Sequence, residues 1–263
     1  MPELSYHTNK FIIPKYEHLV ANVQHYSFHN EKPVMLNPTG CIELIIQDGA
    51  FAQAGTAHNN WVNRPASFIG GLHDQSFSIK PNKPASSLIS ISFKANGAKF
   101  FIPEDLSLLR NQIVSLGAIY SSNQLSNIEA TQEDEQMAYK LKNIETFLDS
   151  IFFSRSVSAI DVALKIIKKN NGCISISELA SQVGLGNSQL RKRFLVEVGM
   201  SPKAYCRIIR VNAIQQVIRL NQAPKLTELA YQFDYFDQSH FIKDFKTVVG
   251  ISPKKYLQQI VNR

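Results

Sequence analysis

Cysteine is scarce in this chain of 263 residues. The three cysteines, Cys41, Cys173 and Cys206, are far apart, form no Cys-x-x-Cys pair and, being odd in number, do not indicate a disulfide framework. The sequence therefore predicts a chain that works in a reducing compartment, which we expect to be the cytoplasm.

Long apolar runs are missing as well. No stretch approaches the roughly 18 uninterrupted apolar residues of a membrane-spanning helix, so no membrane partner is expected. The first residues, MPELSYHTNKF, contain no basic segment followed by an apolar one, and no signal peptide is expected. Hydrophobic residues make up 44% of the chain and charged residues 19%, which is typical of a globular protein.

Patterns typical of catalytic and metal sites are also lacking. The sequence has no Gly-rich phosphate loop and no Gly-x-Ser-x-Gly nucleophile elbow. His25 and His29 are four residues apart and can share one face of a strand, but a metal needs three or four converging ligands. We therefore predict no catalytic residues, no cofactor and no metal. The histidines of the first half are His7, His18, His25, His29, His58 and His73.

Acidic residues are few in the second part of the chain. Residues 154–263 contain 17 Lys and Arg against 7 Asp and Glu, whereas residues 1–153 contain 11 against 14. This asymmetry predicts two domains, 1–153 and 154–263, with different partners. The basic domain is a candidate for binding nucleic acid, although lysines that only solubilise a surface give the same excess.

The first hundred residues have the pattern of short β-strands. The turn-like clusters NPTG (37–40) and NKPAS (82–86) separate apolar runs. The runs CIELIIQ (41–47), ASFIGGL (66–72) and SSLISISF (86–93) show strand-like patterns. In the last of these, Ile89, Ile91 and Phe93 form an apolar face, and Leu88, Ser90 and Ser92 form a more polar one. Several short strands separated by turns predict a β barrel or sandwich.

From about residue 103 the pattern becomes helical. Pro103, followed by two acidic residues, predicts the start of a helix. The region 134–153 contains an a/d seam, which packs either on its own domain or on a second copy, and the sequence leaves both open. The region 154–175 predicts a helix that stops at Asn171-Gly172. The seam is Met137, Leu141, Ile144, Leu148 and Ile151, and the predicted buried face of the next helix is Ala159, Val162, Ala163 and Ile166.

The last part of the chain contains an internal repeat. GMSPKAY (199–205) recurs as GISPKKY (250–256), and Glu-Leu-Ala at 178–180 recurs at 228–230. Each copy predicts a helix, a tight turn and a second helix, in units at about 174–200 and 224–251. Ser177 or Thr227 can cap the first helix of each unit, Gly184 supplies the turn of the first unit, and Asp237 can cap the second helix of the later unit. In each Ser-Pro segment, Gly ends one helix and Ser-Pro begins the next.

The second helix of each unit has one apolar face and one small, polar and cationic face. Leu190 and Phe194, like Phe241 and Phe245, are four residues apart and share the face expected to be buried. The opposite face can enter a major groove, where such side chains read base edges. The candidate DNA-binding residues are Ser188, Gln189, Arg191, Lys192, Gln238, Ser239, His240, Lys243 and Lys246.

The segment between the two units predicts a rigid spacer. A helix from Pro202 to Leu220 would span about 28 Å at 1.5 Å per residue. Two recognition helices held by it could face successive major grooves, about one DNA turn (~34 Å) apart. Arg207 and Arg210 lie on this spacer and are predicted to contact phosphates, with salt bridges inside the chain as the alternative.

Together these motifs resemble the DNA-binding domain of AraC/XylS-type transcription regulators over about 174–258. The resemblance rests on ELASQVGLGNSQLRKRF, GMSPKAYCRIIRV, LTELAYQF, DQSHFIKDF and GISPKKY. The chain departs from the family at Gly186, where a small polar capping residue is common, and at Asp234-Tyr235, where Gly-Phe is usual. A left-handed turn at Asp234 is expected to preserve the geometry.

The segments LNPTGCIELIIQDG, ASFIGGL and ISFKANGAKFF are similar to the cupin-like β domain that precedes such DNA-binding domains. The resemblance implies an α+β chain: a cupin-like barrel or sandwich followed by helices, then an all-α domain of two helix-turn-helix units joined by a long helix.

The implied function is a sequence-specific, nucleoid-associated transcription activator that works with RNA polymerase and binds double-stranded DNA. Its N-terminal domain would sense a small-molecule effector, whose contacts are not assigned, or form a homodimer. The alternative is a metal-binding or enzymatic cupin domain, for which the usual His-x-His pair is missing.

Overall fold

The computed structural model describes residues 6–55, 61–221 and 225–261. His58 and the first residue of the unit predicted at 224–251 lie outside the described residues. Strands come first along the chain, and helices dominate after residue 121. The strands are β1 (Tyr6–Phe11), β2 (Val20–Phe28), β3 (Val34–Leu36), β4 (Ile42–Asp48), β5 (Phe51–Gly55), β6 (Val62–Asn63), β7 (Ser67–Gly70), β8 (Phe77–Pro81), β9 (Ser87–Phe93) and β10 (Ile113–Ser115).

The strands form two antiparallel sheets that face each other. The larger sheet has the order β1-β2-β9-β4-β7-β10, and the smaller has the order β3-β8-β5-β6. Side chains from both sheets, including Phe28, Phe51 and Phe68, meet in one cluster between them. No strand pairing joins the two sheets within the described ranges, so the fold is a sandwich rather than a closed barrel.

Alternation along the central strands gives the larger sheet two different faces. Ile89, Ile91 and Phe93 of β9 are buried in the main core together with helical residues. The more polar face of β9, with Ser90 and Ser92, points to the space between the sheets. The strand predictions at 41–47, 66–72 and 86–93 correspond to β4, β7 and β9.

The helical part contains the predicted long helix and two short helix pairs. Pro202 and Pro253 each begin a helix, as the two Ser-Pro segments predict. Over the described ranges no helix is both long and apolar enough to cross a membrane. The helices are α1 (Ser122–Glu133), α2 (Met137–Ile151), α3 (Ala159–Lys169), α4 (Ile176–Gln182), α5 (Asn187–Val198), α6 (Pro202–Asn221), α7 (Leu226–Gln232), α8 (Gln238–Val249) and α9 (Pro253–Val261).

The a/d seam of α2 packs inside the chain. Ile144, Leu148 and Ile151 are buried in the main core, and Met137 and Leu141 pack against it. Helix α1 is the main neighbour of α2. The seam therefore packs within its own domain and stabilises it.

Two helix predictions are wrong in detail. Pro103 does not begin an α-helix, because the chain forms a short 3₁₀ helix at Leu106–Leu109 that Asp105 caps. In α3 the buried apolar side chains are Ile160, Ala163, Leu164 and Ile167. Apolar residues fill most positions of α3, so the sequence period could not choose the face.

The segment that precedes α3 joins the sandwich to the helical part. The Arg155 guanidinium donates to the backbone oxygen of Asn96 (3.3 Å) and to Asp161 Oδ1 (2.6 Å). It also lies 4.8 Å from the ring centroid of Phe100. The Ser158 hydroxyl donates to Glu197 Oε2 of α5 at 2.6 Å. This network of partly buried charges holds α3 and α5 against the sandwich.

Candidate functional site

The first helix-turn-helix unit consists of α4, a turn and α5. Gly184 occupies the turn with φ +66°, a left-handed conformation that glycine adopts without strain. Ser175 caps α4, because its Oγ accepts from the Glu178 N–H at 3.1 Å. The predicted cap, Ser177, lies inside the helix. At the start of α5 the Gly186 N–H donates to Gln189 Oε1 at 3.2 Å, which is one of the two bonds of a capping box; Gly186 has no side chain to make the other.

The second unit, α7 and α8, repeats this geometry with different residues. Asp234 takes the place of Gly184 and has φ +54°, which confirms the expected left-handed turn. Asp237 caps α8 as predicted, since its Oδ1 accepts from the His240 N–H at 2.7 Å. The residue before α7 is Lys225, which makes no side-chain cap, and Thr227 lies inside that helix.

Asp237→Ala is expected to lower the free energy of unfolding by about 1 kcal/mol, because it removes the acceptor for an N–H at the start of α8. Asp237→Ser is the control, since serine restores the acceptor. Chemical denaturation of both variants measures the effect. Equal loss in the two variants would contradict a capping role.

Helices α5 and α8 carry buried anchors on one face. Leu190, Phe194, Phe241 and Phe245 are all 0% exposed. Every predicted DNA-binding side chain is exposed. These residues are Ser188, Gln189, Arg191 and Lys192 on α5, and Gln238, Ser239, His240, Lys243 and Lys246 on α8. The duplicated fold thus presents two polar, cationic helix faces, each supported by aromatic packing.

The two predicted phosphate contacts on α6 have partners within the chain. Arg207 Nη1 lies 3.8 Å from Asp244 Oδ1 of α8. The Arg210 guanidinium donates to the Gly172 backbone oxygen at 2.8 Å and lies 5.1 Å from the ring centroid of Tyr235. Both arginines therefore help to fix the two units on α6. Their contact with phosphates stays a prediction.

Sequence reasoning assigned no residues to a ligand site, but the structure contains a cavity of about 180 Å³ between the two sheets. Aromatic and aliphatic side chains form most of its wall, and Glu43, Arg64 and His73 add ionisable groups. The signal in the sequence was the polar face of β9 and the single Glu43 within an apolar strand. The apolar wall includes Phe28, Ile45, Phe68, Phe77, Ile79 and Leu88.

The ionisable groups of the cavity are strongly affected by burial. Burial raises the pKa of the Glu43 carboxyl, although the Ser92 hydroxyl (Oγ to Oε1, 3.3 Å) and the charge of Arg64 oppose that shift. Burial lowers the pKa of Arg64 to about 10, so its guanidinium stays charged at neutral pH. Burial and the charge of Arg64 lower the pKa of His73 to about 4, so its imidazole is neutral.

One wall of the cavity is a loop, residues 37–41, that also contacts the spacer helix α6. The Asn212 side chain donates to the backbone oxygens of Pro38 (3.2 Å) and Thr39 (3.3 Å). Gly40 has φ +78°, and a Cβ there would lie 3.2 Å from Ile209 Cδ1. The loop is therefore in direct contact with both the cavity and the helix that positions the two units.

Across the described ranges, no group of three or more His, Cys, Asp and Glu side chains is arranged to hold a metal ion. His7 and His29 form an edge-to-face pair with ring centroids 4.7 Å apart, rather than the pairing of His25 and His29 considered above.

Comparisons with known proteins match both parts of the chain. A family described as a helix-turn-helix domain matches residues 179–259, and a domain of unknown function (DUF6597) matches residues 13–115. The probable transcriptional regulator LumQ of Photobacterium leiognathi is 24% identical over 88% of this chain and 91% of LumQ. A putative AraC-like transcription regulator of Streptomyces antibioticus is 32% identical over 31% of this chain and 27% of that protein.

Among solved structures, ToxT of Vibrio cholerae has a TM-score of 0.50 at 12% identity, covering 97% of this chain and 98% of ToxT. ToxT and this chain share a fold in which a β-rich domain precedes a helical one. The C-terminal part of the chain is therefore an AraC-type helix-turn-helix domain that follows an N-terminal β domain, and the relatives that the chain matches are named transcriptional regulators.

Proposed function

We propose that the chain binds DNA sequence-specifically by placing α5 and α8 in successive major grooves, and that its N-terminal domain regulates this binding through a small-molecule effector. The observation that carries the proposal is the repeated design of α5 and α8, with exposed polar faces above fully buried anchors. Helix α6 has 20 residues and spans about 30 Å, a suitable separation for two helices that enter successive major grooves.

The position of the cavity supports the effector hypothesis. The loop at 37–41 lines the cavity and also accepts the two hydrogen bonds from Asn212. A ligand that shifts this loop would therefore change its contacts with α6, the helix that lies between α5 and α8. Activation of transcription, with RNA polymerase as partner, belongs to the same proposal. It predicts that a promoter carrying a selected site becomes more active when the chain is expressed.

DNA binding is tested with the full-length chain and a library of genomic fragments at two salt concentrations. We expect selected sites with two half-sites about one helical turn apart, and an affinity that falls steeply as salt rises because bound phosphates release counterions. Weak binding to all fragments, with no selected sequence, would reject sequence-specific regulation.

Arg191→Ala and Lys243→Ala are each expected to cost about 1–3 kcal/mol of binding and to relax the preference at one or two base pairs, because in this proposal each exposed side chain contacts base edges. Arg207→Ala is expected to weaken binding on all sequences alike. Lys10→Ala, an exposed lysine of the sandwich, is the control and should change nothing. Selection profiles for the four variants separate these outcomes, and four identical profiles would refute the sorting into base and phosphate contacts.

A further inference from the structure

Arg64 is in an unusual position for a cationic side chain. It follows β6 and lines the cavity between the sheets, with its Cζ 4.2 Å from the ring centroid of Phe68. Its Nε and Nη1 atoms are buried and have no hydrogen-bond partner among the described residues. A charged guanidinium carries five donors, and leaving buried donors unpaired costs free energy. These two donors of Arg64 therefore lack an acceptor, and an anionic group would supply one.

Glu43 is on the same cavity wall, but its carboxyl does not accept a hydrogen bond from Arg64 in the described ranges. It forms no ion pair with Arg64 in the described ranges, and its Oε1 accepts from the Ser92 hydroxyl at 3.3 Å. A buried carboxyl can lose its charge by taking up a proton, whereas an arginine cannot lose its charge at neutral pH. When an anion binds to Arg64, a protonated Glu43 no longer repels it. The asymmetry favours an anionic ligand over a cationic one.

The rest of the wall sets the size and character of the ligand. Phe28, Phe68, Phe77 and Ile79 make most of the surface apolar, so it suits a hydrocarbon body. The volume of about 180 Å³ is slightly larger than the roughly 150 Å³ of an apolar cavity that accepts benzene. The amides of Asn22 and Gln53 each have a buried oxygen without a partner, and a half-turn of either amide presents a donor instead.

We propose that this cavity binds a small organic monocarboxylate whose apolar body is about the size of one ring or a short chain, with Arg64 donating to the carboxylate. The inference rests on the proposed function, because it names the class of effector that the N-terminal domain senses. The carboxylate takes the unpaired donors of Arg64, and the apolar body fills the space between the sheets. Loop 37–41, on the same wall, is then the element that responds to occupancy.

The test is calorimetric titration of the full-length chain with two pairs of probes: benzoate against benzamide, and hexanoate against hexanamide. Each pair shares one apolar body and differs in charge. We expect at least one acid to bind tenfold or more tightly than its amide, because hydrogen bonds to a charged group are about twice as strong as neutral ones. Arg64→Met, which keeps an apolar stem of similar shape, should abolish that preference. Arg110→Met removes a more exposed arginine that does not line the cavity and should retain it.

Several results would overturn the inference. Equal binding of acids and amides to the unmodified chain, no binding of either acid, or a preference that survives Arg64→Met would each do so. Tighter binding of benzylamine than of benzoate would make Glu43 the anchor and reject an anionic ligand. If Arg64→Met fails to fold, titration of the same probe pairs into Arg64→Lys and into the unmodified chain decides whether the cavity prefers an acid over its amide.

DNA binding is measured on the same protein samples. Because Arg64 lies in the sandwich, Arg64→Met without ligand should bind a selected site as tightly as the unmodified chain. Intact DNA binding without an acid preference would defeat the ligand inference alone. A chain that binds the acids but selects no DNA sequence would defeat the proposed function alone.

Discussion

Replacing Phe245 with alanine is expected to lower the free energy of unfolding by about 3–5 kcal/mol, the range for a fully buried phenylalanine. Phe245 is 0% exposed, and its ring packs against Phe241 and Tyr256 at centroid distances of 5.8 and 5.5 Å. The substitution leaves a cavity where α8 meets α9 and the rest of the core. The substitution should also weaken DNA binding, since the buried Phe245 ring fixes the position of α8 and therefore of its exposed face.

Phe236→Ala is the matched control for that experiment. Phe236 lies in the turn of the same unit but is 89% exposed, so its removal creates no cavity and is expected to change stability by less than about 0.5 kcal/mol. Urea unfolding of both variants, followed by circular dichroism, gives the two free energies. Similar losses for the two substitutions would mean that burial of Phe245 does not stabilise the unit.

The helix-turn-helix units were predictable because their signals are local and occur twice. Asp237 as a cap, a left-handed residue at position 234 and the buried pairs on α5 and α8 all follow from short-range spacing. The caps of α4 and α7 were harder to place. Ser175 and Ser177 are both good capping residues, and only the backbone geometry selects the first.

The cavity could not be located from the sequence for a different reason. Its ionisable groups come from separate positions, with Glu43 on β4, Arg64 after β6 and His73 after β7, and strand pairing brings them together. Alternation on β9 predicted a polar face but could not show what that face meets. Likewise, the partners of Arg210 depend on how α6 packs between the two units, which no local pattern encodes.

Arg155→Ala is expected to lower the free energy of unfolding by about 3 kcal/mol, the lower end of the range for breaking a buried ion pair. The Arg155 side chain is 18% exposed and that of Asp161 only 7%, so the substitution leaves the Asp161 carboxylate buried without its cation. The loss also removes the bond to the Asn96 oxygen and the contact with Phe100. Because these groups connect the sandwich to α3 and α5, we also expect α5 to be held less firmly in its position.

Arg193→Ala provides the control for Arg155, because both arginines lie near Glu197, with Arg155 Nη1 3.7 Å from Glu197 Oε2. Arg193 Nη2 lies 3.3 Å from Glu197 Oε1 on the surface of α5, with its side chain 43% exposed. Exposed i,i+4 pairs contribute about 0.3–0.5 kcal/mol, so its removal should be nearly neutral. Adding Asp161→Asn to Arg155→Ala should recover part of the stability, since it removes the stranded charge. Thermal and urea unfolding of the three variants tests the argument, and equal losses for Arg155→Ala and Arg193→Ala would show that burial does not make the Arg155 network important.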